Sequence, residues 1–291
     1  MLKPDRRDFL KLAGIAGVTF TSGLFPARRA SAQAGGDFHF VQISDTHWGF
    51  KGPPNPDAEH TLEKAIVTVN GLAQKPDFIV FTGDLTHTTE DGKVRRERMK
   101  RFKEIVSALN VKDVRFLAGE HDASLDKGEA FKEFFGATHY TFDHKGVHFI
   151  ALDNVSDPGA KLGDEQLAWL AADLKQRKTD DRIVVLTHRP LFDLVPNWDW
   201  TTADGAKAID LLMPYQNVVV FYGHIHQEHH HMTGHIAHHA AKSLIFPQAA
   251  PGTAPKRPPP PPYDASLKPL GTRDIAMGAK PVITELPVTK A

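Results

Sequence analysis

Short apolar runs alternate with segments of helical periodicity along the chain. The runs have the length and the Val, Ile and Phe content of buried strands. They predict five strands: Phe38–Ser44, Phe78–Thr82, Val114–Ala118, Ile183–Thr187 and Val218–Tyr222. Apolar residues with helical spacing predict helices between them, around Leu62–Leu72, Phe102–Leu109 and Leu167–Leu174. This alternation is typical of an α/β fold in which helices cover a parallel or mixed sheet.

The later part of the chain adds a hairpin, a loop and a last strand. Thr138–Phe142 and Val147–Leu152 are predicted to pair as a β-hairpin around Lys145-Gly146. The segment 251–271 is rich in proline, which predicts an extended surface loop. A final strand is predicted at about 281–288. The core of this single domain is expected at about 38–250.

The segment 1–32 has the features of an export signal. Arg6-Arg7 opens a twin-arginine motif, an apolar run follows from Leu12 to Phe25, and Ala30-Ser31-Ala32 resembles a cleavage site. The run is too short and too interrupted by Gly and Ser to predict a stable membrane span, and an uncleaved anchor is the alternative. We therefore expect a twin-arginine signal peptide at 1–32. The mature domain, 33–291, would be exported by the twin-arginine translocase to the periplasm or secreted.

Composition narrows the choice of chemistry. The chain has equal numbers of basic and acidic residues, and the segment 1–32 carries six basic and two acidic side chains, so the mature domain has a net charge of −4. That balance gives no electrostatic argument for nucleic-acid binding. The absence of cysteine excludes disulfides, thiolate metal sites and cysteine nucleophiles. Histidine is frequent, and imidazole is the commonest metal ligand in proteins.

Acidic and histidine residues follow each of the five predicted strands. They occur in Asp45-Thr46-His47, Gly83-Asp84, Gly119-Glu120-His121-Asp122, His188 and Gly223-His224-Ile225-His226. The carboxyl ends of strands form the ligand crevice of open α/β sheets. Carboxylates and imidazoles suit Fe, Mn, Zn or Co. The alternative, that these residues are strand-end caps, accounts for aspartate but not for four histidines.

The motif order D-x-H, G-D, G-x-H-D, an isolated H and G-H-x-H resembles the calcineurin-like metallophosphoesterase superfamily over about residues 38–226. Thr-Gly-Asp-Leu-Thr at 82–86 and Thr-His-Arg-Pro-Leu at 187–191 are most similar to class III cyclic-nucleotide phosphodiesterases. The resemblance implies a four-layer α/β/β/α sandwich with two central mixed β-sheets. It also implies hydrolysis of a small phosphate ester, with phosphodiesters favoured, by a hydroxide that bridges two metal ions.

The resemblance also implies a role for each motif residue. Asp45, His47 and His226 would bind one ion, Asp84 would bridge, and Glu120, His188 and His224 would bind the other. His121 would donate a proton to the leaving oxygen or stabilise transition-state charge, oriented by Asp122. The alternative for His121 is a hydrogen-bond partner of a metal ligand.

The sequence departs from the family pattern at two positions. Glu120 replaces the usual Asn, and an ionised Glu120 would cancel the positive charge that two divalent ions and a hydroxide otherwise leave. We therefore expect a mixed pair of Fe(III) and a divalent ion; the alternative is that Glu120 turns away from the metal. His87 occupies the position of the metal-binding tyrosine of purple acid phosphatases, which disfavours that branch.

Other segments leave alternatives open. Six further histidines follow the last motif, and we favour a β-hairpin with alternate histidines on opposite faces over an auxiliary metal-loading patch: His229, His230, His231, His235, His238 and His239. Trp198 and Trp200 either line the crevice or pack beneath it. Lys256 and Arg257 could reach a substrate phosphate. The alternative functions are a broad phosphomonoesterase and a catalytically impaired periplasmic metal-binding protein.

Overall fold

The computed structural model describes residues 37–288, so the predicted signal segment lies outside the described residues. The elements in chain order are β1 (Phe38–Ile43), α1 (Ala58–Asn70), β2 (Phe78–Thr82), α2 (Gly92–Val106), β3 (Val114–Leu117), α3 (Glu120–Ala123), α4 (Glu129–Phe135), β4 (Tyr140–His144), β5 (Val147–Ala151), α5 (Gly163–Leu174), β6 (Arg182–Leu186), α6 (Gly205–Leu212), β7 (Asn217–Tyr222), β8 (His229–Thr233), β9 (Ile236–Ala240), β10 (Gly271–Met277) and β11 (Pro281–Pro287). Within the described residues, no helix is long and apolar enough to cross a membrane.

The strands form two mixed sheets. The first has the order β11-β10-β1-β2-β3, in which β1, β2 and β3 are parallel and β10 and β11 are antiparallel additions. The second has the order β4-β5-β6-β7-β9-β8, in which β5, β6, β7 and β9 are parallel. Parallel strands that are buried on both faces account for the continuous apolar runs in the sequence.

The two sheets pack face to face, and each is covered by helices on its outer face. Phe40 and Phe78 of the first sheet pack with Phe149 and Phe221 of the second in one inter-sheet cluster. Residues of α1, α2 and α4 form a second cluster against the first sheet. Those of α5 and α6 form a third cluster on the second sheet. The fold is therefore the four-layer α/β/β/α sandwich, as predicted.

Most differences from the predicted elements lie where the local pattern is weak. Strand β10 was not predicted, because it follows the proline-rich segment directly and carries the buried polar residue Arg273. The segment 251–270 forms neither helix nor strand. The expected histidine-bearing hairpin is present as β8 and β9, in which His231 pairs with His238 and His230 with His239. The short helices α3, α4 and α6 were also not predicted.

Candidate metal centre

The motif residues come together at the carboxyl ends of β1, β2, β3, β6 and β7. Their potential ligand atoms form two adjacent groups, each with all atoms within 4.8 Å of one another: Asp45, His47, Asp84 and His226 in the first, and Glu120, His188 and His224 in the second. These groups are the two ligand sets that the sequence implied, with Asp84 in the first set. Each group offers enough carboxylate and imidazole ligands to hold one ion.

The Asp84 carboxylate lies between the two groups. Its Oδ2 atom is 3.3 Å from Nε2 of His47 and 3.4 Å from Nε2 of His188. The side chain is 2% exposed, and its Oδ1 atom accepts a 3.0 Å hydrogen bond from the backbone N–H of His121. One carboxylate oxygen thus faces ligands of both groups, which is the geometry that a bridging ligand requires.

The second group contains buried polar atoms that lack hydrogen-bond partners among the described residues. Oε2 of Glu120, Nε2 of His188 and Nδ1 of His224 are all in this state. Glu120 Oε2 is nevertheless 2.9 Å from His188 Nε2, and Glu120 Oε1 is 2.8 Å from His224 Nδ1. Buried polar groups are nearly always paired. One carboxylate and two imidazoles that converge on one point in this way fit a metal ion, and Glu120 turns toward this point.

In three of the histidines, the ring nitrogen that faces away from the ligand groups forms a hydrogen bond that orients the ring. Nδ1 of His188 donates to the carbonyl of Thr82 at 2.7 Å, and Nδ1 of His226 donates to the carbonyl of Phe246 at 2.8 Å. Nε2 of His224 donates to the carbonyl of Asp199 at 3.0 Å. In each ring the remaining nitrogen faces the site, where it can bind a metal ion once the ring is neutral. This arrangement is the usual support of metal-binding histidine.

The backbone of the site is strained at five ligand positions. Residues with side chains rarely adopt positive φ, and those that do cluster at functional sites. The five positive φ angles are 52° at Asp45, 42° at His47, 50° at Asp84, 66° at His224 and 55° at His226. The surrounding fold thus holds these residues in unusual conformations, which turn their side chains toward the site.

Two glycines of the motifs are required by close packing. A Cβ atom at Gly119 would lie 2.0 Å from Oδ1 of Asp84, and one at Gly223 would lie 2.0 Å from Oγ of Ser44. Ser44 in turn donates a 2.5 Å hydrogen bond to Asp45. Any side chain at these two positions would displace a candidate ligand. Glycine is therefore required at both positions, because a larger residue would not fit beside the candidate ligands.

The electrostatics of the site favour bound cations. Burial acts to raise the pKa of Asp84, and so does the Glu120 carboxylate. The imidazoles of His188, His121 and His47 outweigh them and lower the pKa of Asp84 to about 2. Burial lowers the pKa of His47 well below its usual value. Burial acts in the same direction on His188, but the carboxylates of Asp84 and Glu120 outweigh it and raise the pKa of His188 well above its usual value. Ionised carboxylates and neutral imidazoles are the forms in which these side chains bind metals.

His121 lies beside the first group, and Thr88 holds its ring. Nδ1 of His121 accepts a 3.2 Å hydrogen bond from the backbone N–H of Thr88 and lies 2.6 Å from the Thr88 hydroxyl oxygen. Since Nδ1 is an acceptor, the proton of the neutral ring is on Nε2. That atom is 4.0 Å from Oδ2 of Asp84. The ring thus presents an N–H to the site.

The carboxylate of Asp122 has a different task from the one expected. It accepts hydrogen bonds from the backbone N–H groups of Leu85, Thr86 and Gly119 at 2.8–3.0 Å. Among the described residues, none of its hydrogen bonds is to the His121 ring. The residue therefore fixes the loop that carries Asp84 relative to the loop that carries His121. The direct contact to the imidazole is made by Thr88 instead.

A cleft of about 350 Å³ opens over the two ligand groups. His87 and Phe246 line it together with Arg257, whereas Trp198 and Trp200 are 1% and 0% exposed and pack beneath the surface. The His87 ring stacks on His121 with a centroid distance of 4.9 Å. Burial lowers the pKa of His87 to about 4, so this residue adds a neutral ring to the cleft wall.

Arg189 is a site residue that the sequence did not single out. Its side chain is 4% exposed, and Nη1 lies 3.8 Å from Oε1 of Glu120. Nε donates a 2.9 Å hydrogen bond to the carbonyl of Thr201, and the guanidinium also pairs with Asp199. The only signal in the sequence was its position directly after His188. A buried cation therefore faces the carboxylate that departs from the family pattern.

The comparisons with known proteins agree with this geometry. The model of the family described as calcineurin-like phosphoesterase matches residues 38–228. A probable glycerophosphodiester phosphodiesterase of Arcobacter nitrofigilis is 29% identical over 64% of this chain and 71% of its own length. A 3′,5′-cyclic adenosine monophosphate phosphodiesterase of Pseudomonas aeruginosa is 29% identical over 74% of this chain and 78% of its own.

Solved structures show the same fold. A dimetal phosphatase from Danio rerio superposes with a TM-score of 0.56 at 15% identity, over 87% of this chain and 99% of its own. A purple acid phosphatase from yellow lupin gives a TM-score of 0.60 at 13% identity, over 83% of this chain and 49% of its own. The chain belongs to the calcineurin-like phosphoesterase family and is a phosphoric ester hydrolase whose histidine and carboxylate groups can hold metal ions.

Proposed function

We propose that this protein is an exported phosphodiesterase that uses two metal ions to hydrolyse a small phosphate diester. The observation that carries the dinuclear assignment is the position of Asp84, whose Oδ2 atom is within 3.4 Å of histidines of both ligand groups. When bound, two ions activate a water for attack at phosphorus and neutralise charge on the phosphate oxygens. The relatives named as phosphodiesterases support the preference for a diester.

The residues around the ions supply the remaining chemistry. Asp45, His47 and His226 would hold one ion, Glu120, His188 and His224 the other, and Asp84 both. His121, which presents its Nε2–H to the site, would hydrogen-bond to the leaving oxygen and stabilise the negative charge that develops there. Asp122 holds the two loops that carry these groups. We further propose that the centre holds Fe(III) with a divalent ion, because the Glu120 carboxylate adds a negative charge that a trivalent ion would balance. Arg189 would balance part of this negative charge.

Hydrolysis of two chromogenic substrates tests this function. Bis(p-nitrophenyl) phosphate is the diester and p-nitrophenyl phosphate the matching monoester. We expect a higher kcat/KM for the diester, and loss of both activities after chelation with recovery on metal addition. A preference for the monoester would favour the phosphomonoesterase alternative. Bound metal without turnover of any ester would favour the impaired metal-binding protein.

Export through the twin-arginine pathway is the second part of the proposal. It is supported by Arg6-Arg7, the apolar run after them and the Ala30-Ser31-Ala32 site. Proteins on this pathway fold and take up cofactors before they cross the membrane. The variant with Lys at both Arg6 and Arg7 should stay in the cytoplasm at full length. Its appearance in the periplasm in cleaved form would contradict the assignment.

A further inference from the structure

The proline-rich segment at 251–270 is anchored at its amino-terminal end. Nε1 of Trp198 donates a 2.9 Å hydrogen bond to the carbonyl of Ala254, and Trp198 is 1% exposed. Just before the segment, Nε2 of Gln227 donates a 2.9 Å hydrogen bond to the carbonyl of Ala249. Gln227 follows the candidate ligand His226 directly. The entry into the segment is thus fixed relative to the metal centre.

The carboxyl-terminal end of the segment is anchored in the core of the first sheet. Leu267 and Leu270 are 1% and 3% exposed, and both belong to the cluster between that sheet and its covering helices. Tyr263 packs against the same cluster. Both ends of the segment therefore rest on the folded core, although the residues between them form no regular secondary structure.

The middle of the segment forms a wall of the cleft. Arg257, Pro258, Pro259 and Pro260 line the same cavity as the two ligand groups. The prolines belong to an uninterrupted run at 258–262. The pyrrolidine ring fixes the φ angle of each proline, so such a run is stiff and extended. Because Arg257 directly precedes this run, its backbone is restricted to extended conformations.

Arg257 brings a positive charge to this wall. It is the only lysine or arginine that lines the cleft within the described part of the chain. Its guanidinium forms no hydrogen bond or ion pair with another residue between 37 and 288. A guanidinium offers several N–H donors in a planar fork that matches the oxygens of phosphate. Both Arg257 and its neighbour Lys256 are exposed, but Lys256 does not line the cleft.

We infer that Arg257 is a substrate-binding residue that contacts the phosphate group of the ester, and that the anchored proline segment is the scaffold that positions it. This inference rests on the proposed function, since it assumes that a phosphate ester occupies the cleft. The contact is made on binding and is not needed for proton transfer or water activation. Loss of Arg257 therefore raises KM more than it lowers kcat.

Equilibrium binding of inorganic phosphate to the metal-loaded, full-length mature protein tests this role without turnover. Arg257→Ala should bind phosphate about tenfold more weakly than wild type, a value at the low end for hydrogen bonds to charged groups because the site is open to solvent. Arg257→Lys should be intermediate, since it keeps the charge but not the fork. Lys256→Ala is the matched control and should bind like wild type.

Two more readouts complete the test. Metal content should be the same in all four proteins, and the difference between wild type and Arg257→Ala should shrink at high ionic strength. The KM for bis(p-nitrophenyl) phosphate should rise about tenfold in Arg257→Ala with kcat nearly unchanged. Phosphate affinity equal to wild type in Arg257→Ala, or an equal loss in Lys256→Ala, would overturn the inference. A wild-type protein that binds phosphate but cleaves no diester would instead contradict the proposed function.

Discussion

Nη1 of Arg189 lies 3.8 Å from Oε1 of Glu120, and both side chains are held within the candidate metal centre. Glu120 adds one negative charge to the ligands, and Arg189 returns one positive charge close to it. At such a distance, with Arg189 4% exposed and Glu120 26% exposed, the two charges interact through a partly buried environment. On the proposed function, this pair should influence how much positive charge the metal ions supply.

Substitutions in this pair should change metal selection in opposite directions. Glu120→Asn should lose preference for a trivalent ion and accept two divalent ions with activity retained. Arg189→Met should increase the share of Fe(III), because it removes the compensating cation and keeps a long side chain. Elemental analysis with spectroscopy of the iron oxidation state measures both effects.

The wild-type protein and Glu120→Asn provide the decisive comparison for this charge argument. If both hold the same two divalent metals with matching activity, the valence of the centre does not depend on Glu120. Circular dichroism should confirm that Arg189→Met is folded, since the buried guanidinium also pairs with Asp199.

The contact between Thr88 and His121 predicts a dependence on the leaving group. His121→Ala should lower kcat by roughly 10²–10⁴-fold while metal content stays near wild type. Thr88→Val should cause a smaller loss, because the backbone N–H of residue 88 still fixes Nδ1. Both losses should be larger for alkyl esters than for p-nitrophenyl esters, because an alkoxide leaving oxygen needs more stabilisation than p-nitrophenolate does. Equal losses on both ester types would show that His121 does not act on the leaving oxygen.

The histidine hairpin predicts acid sensitivity through His238. The side chain is buried, and burial, followed by the nearby His231 and His239, lowers its pKa from 6.5 to about 3. As the pH falls, His238 is therefore protonated in the unfolded chain before it is protonated in the folded protein. The contribution of neutral His238 to the free energy of unfolding should be fully present above pH 6.5. Below pH 6.5 it should decrease by about 1.4 kcal/mol per pH unit until about pH 3.

The variant His238→Phe isolates this effect. Between pH 7 and pH 5, the free energy of unfolding, measured in urea, should decrease for both proteins. The decrease should be about 2 kcal/mol smaller for His238→Phe than for wild type. Metal loss affects both proteins alike and cancels in the difference. His60→Phe, at an exposed position of α1, should follow wild type. Identical pH profiles for wild type and His238→Phe would contradict the prediction.

Much of the fold follows from the sequence, because the parallel strands carry their signal locally. Phe78–Thr82 is apolar except at its last position and buried throughout, and its predicted and observed bounds agree. Strand β10 carries Thr272, Arg273 and Asp274, and its place in the sheet depends on pairing with β1, which lies at the opposite end of the domain sequence. Local periodicity cannot reveal a strand whose polar residues are satisfied only by distant partners.

The candidate ligands could be identified from the sequence because each follows a strand, and the ends of parallel strands meet at one edge. The contacts between loops could not be identified in this way. Thr88 meets His121 from a different loop, and Arg189 faces Glu120 from beyond the end of β6, a strand of the other sheet. Such pairs depend on loop conformation, including the positive φ of Asp84 and the close packing around Gly119, which local sequence patterns do not predict.

A dinuclear centre joined by Asp84 predicts two metal ions per chain, and metal analysis measures this number. The mature protein and Asp84→Asn should be analysed for metals, with Asp113→Asn, at a surface ion pair, as the control. We expect two ions per chain in wild type and the control. In Asp84→Asn we expect one ion or fewer, with loss of most phosphodiester hydrolysis, because on the proposed function both ions would activate the attacking water. A fully active wild type with one ion per chain, or an Asp84→Asn protein that keeps two ions and wild-type activity, would contradict the account.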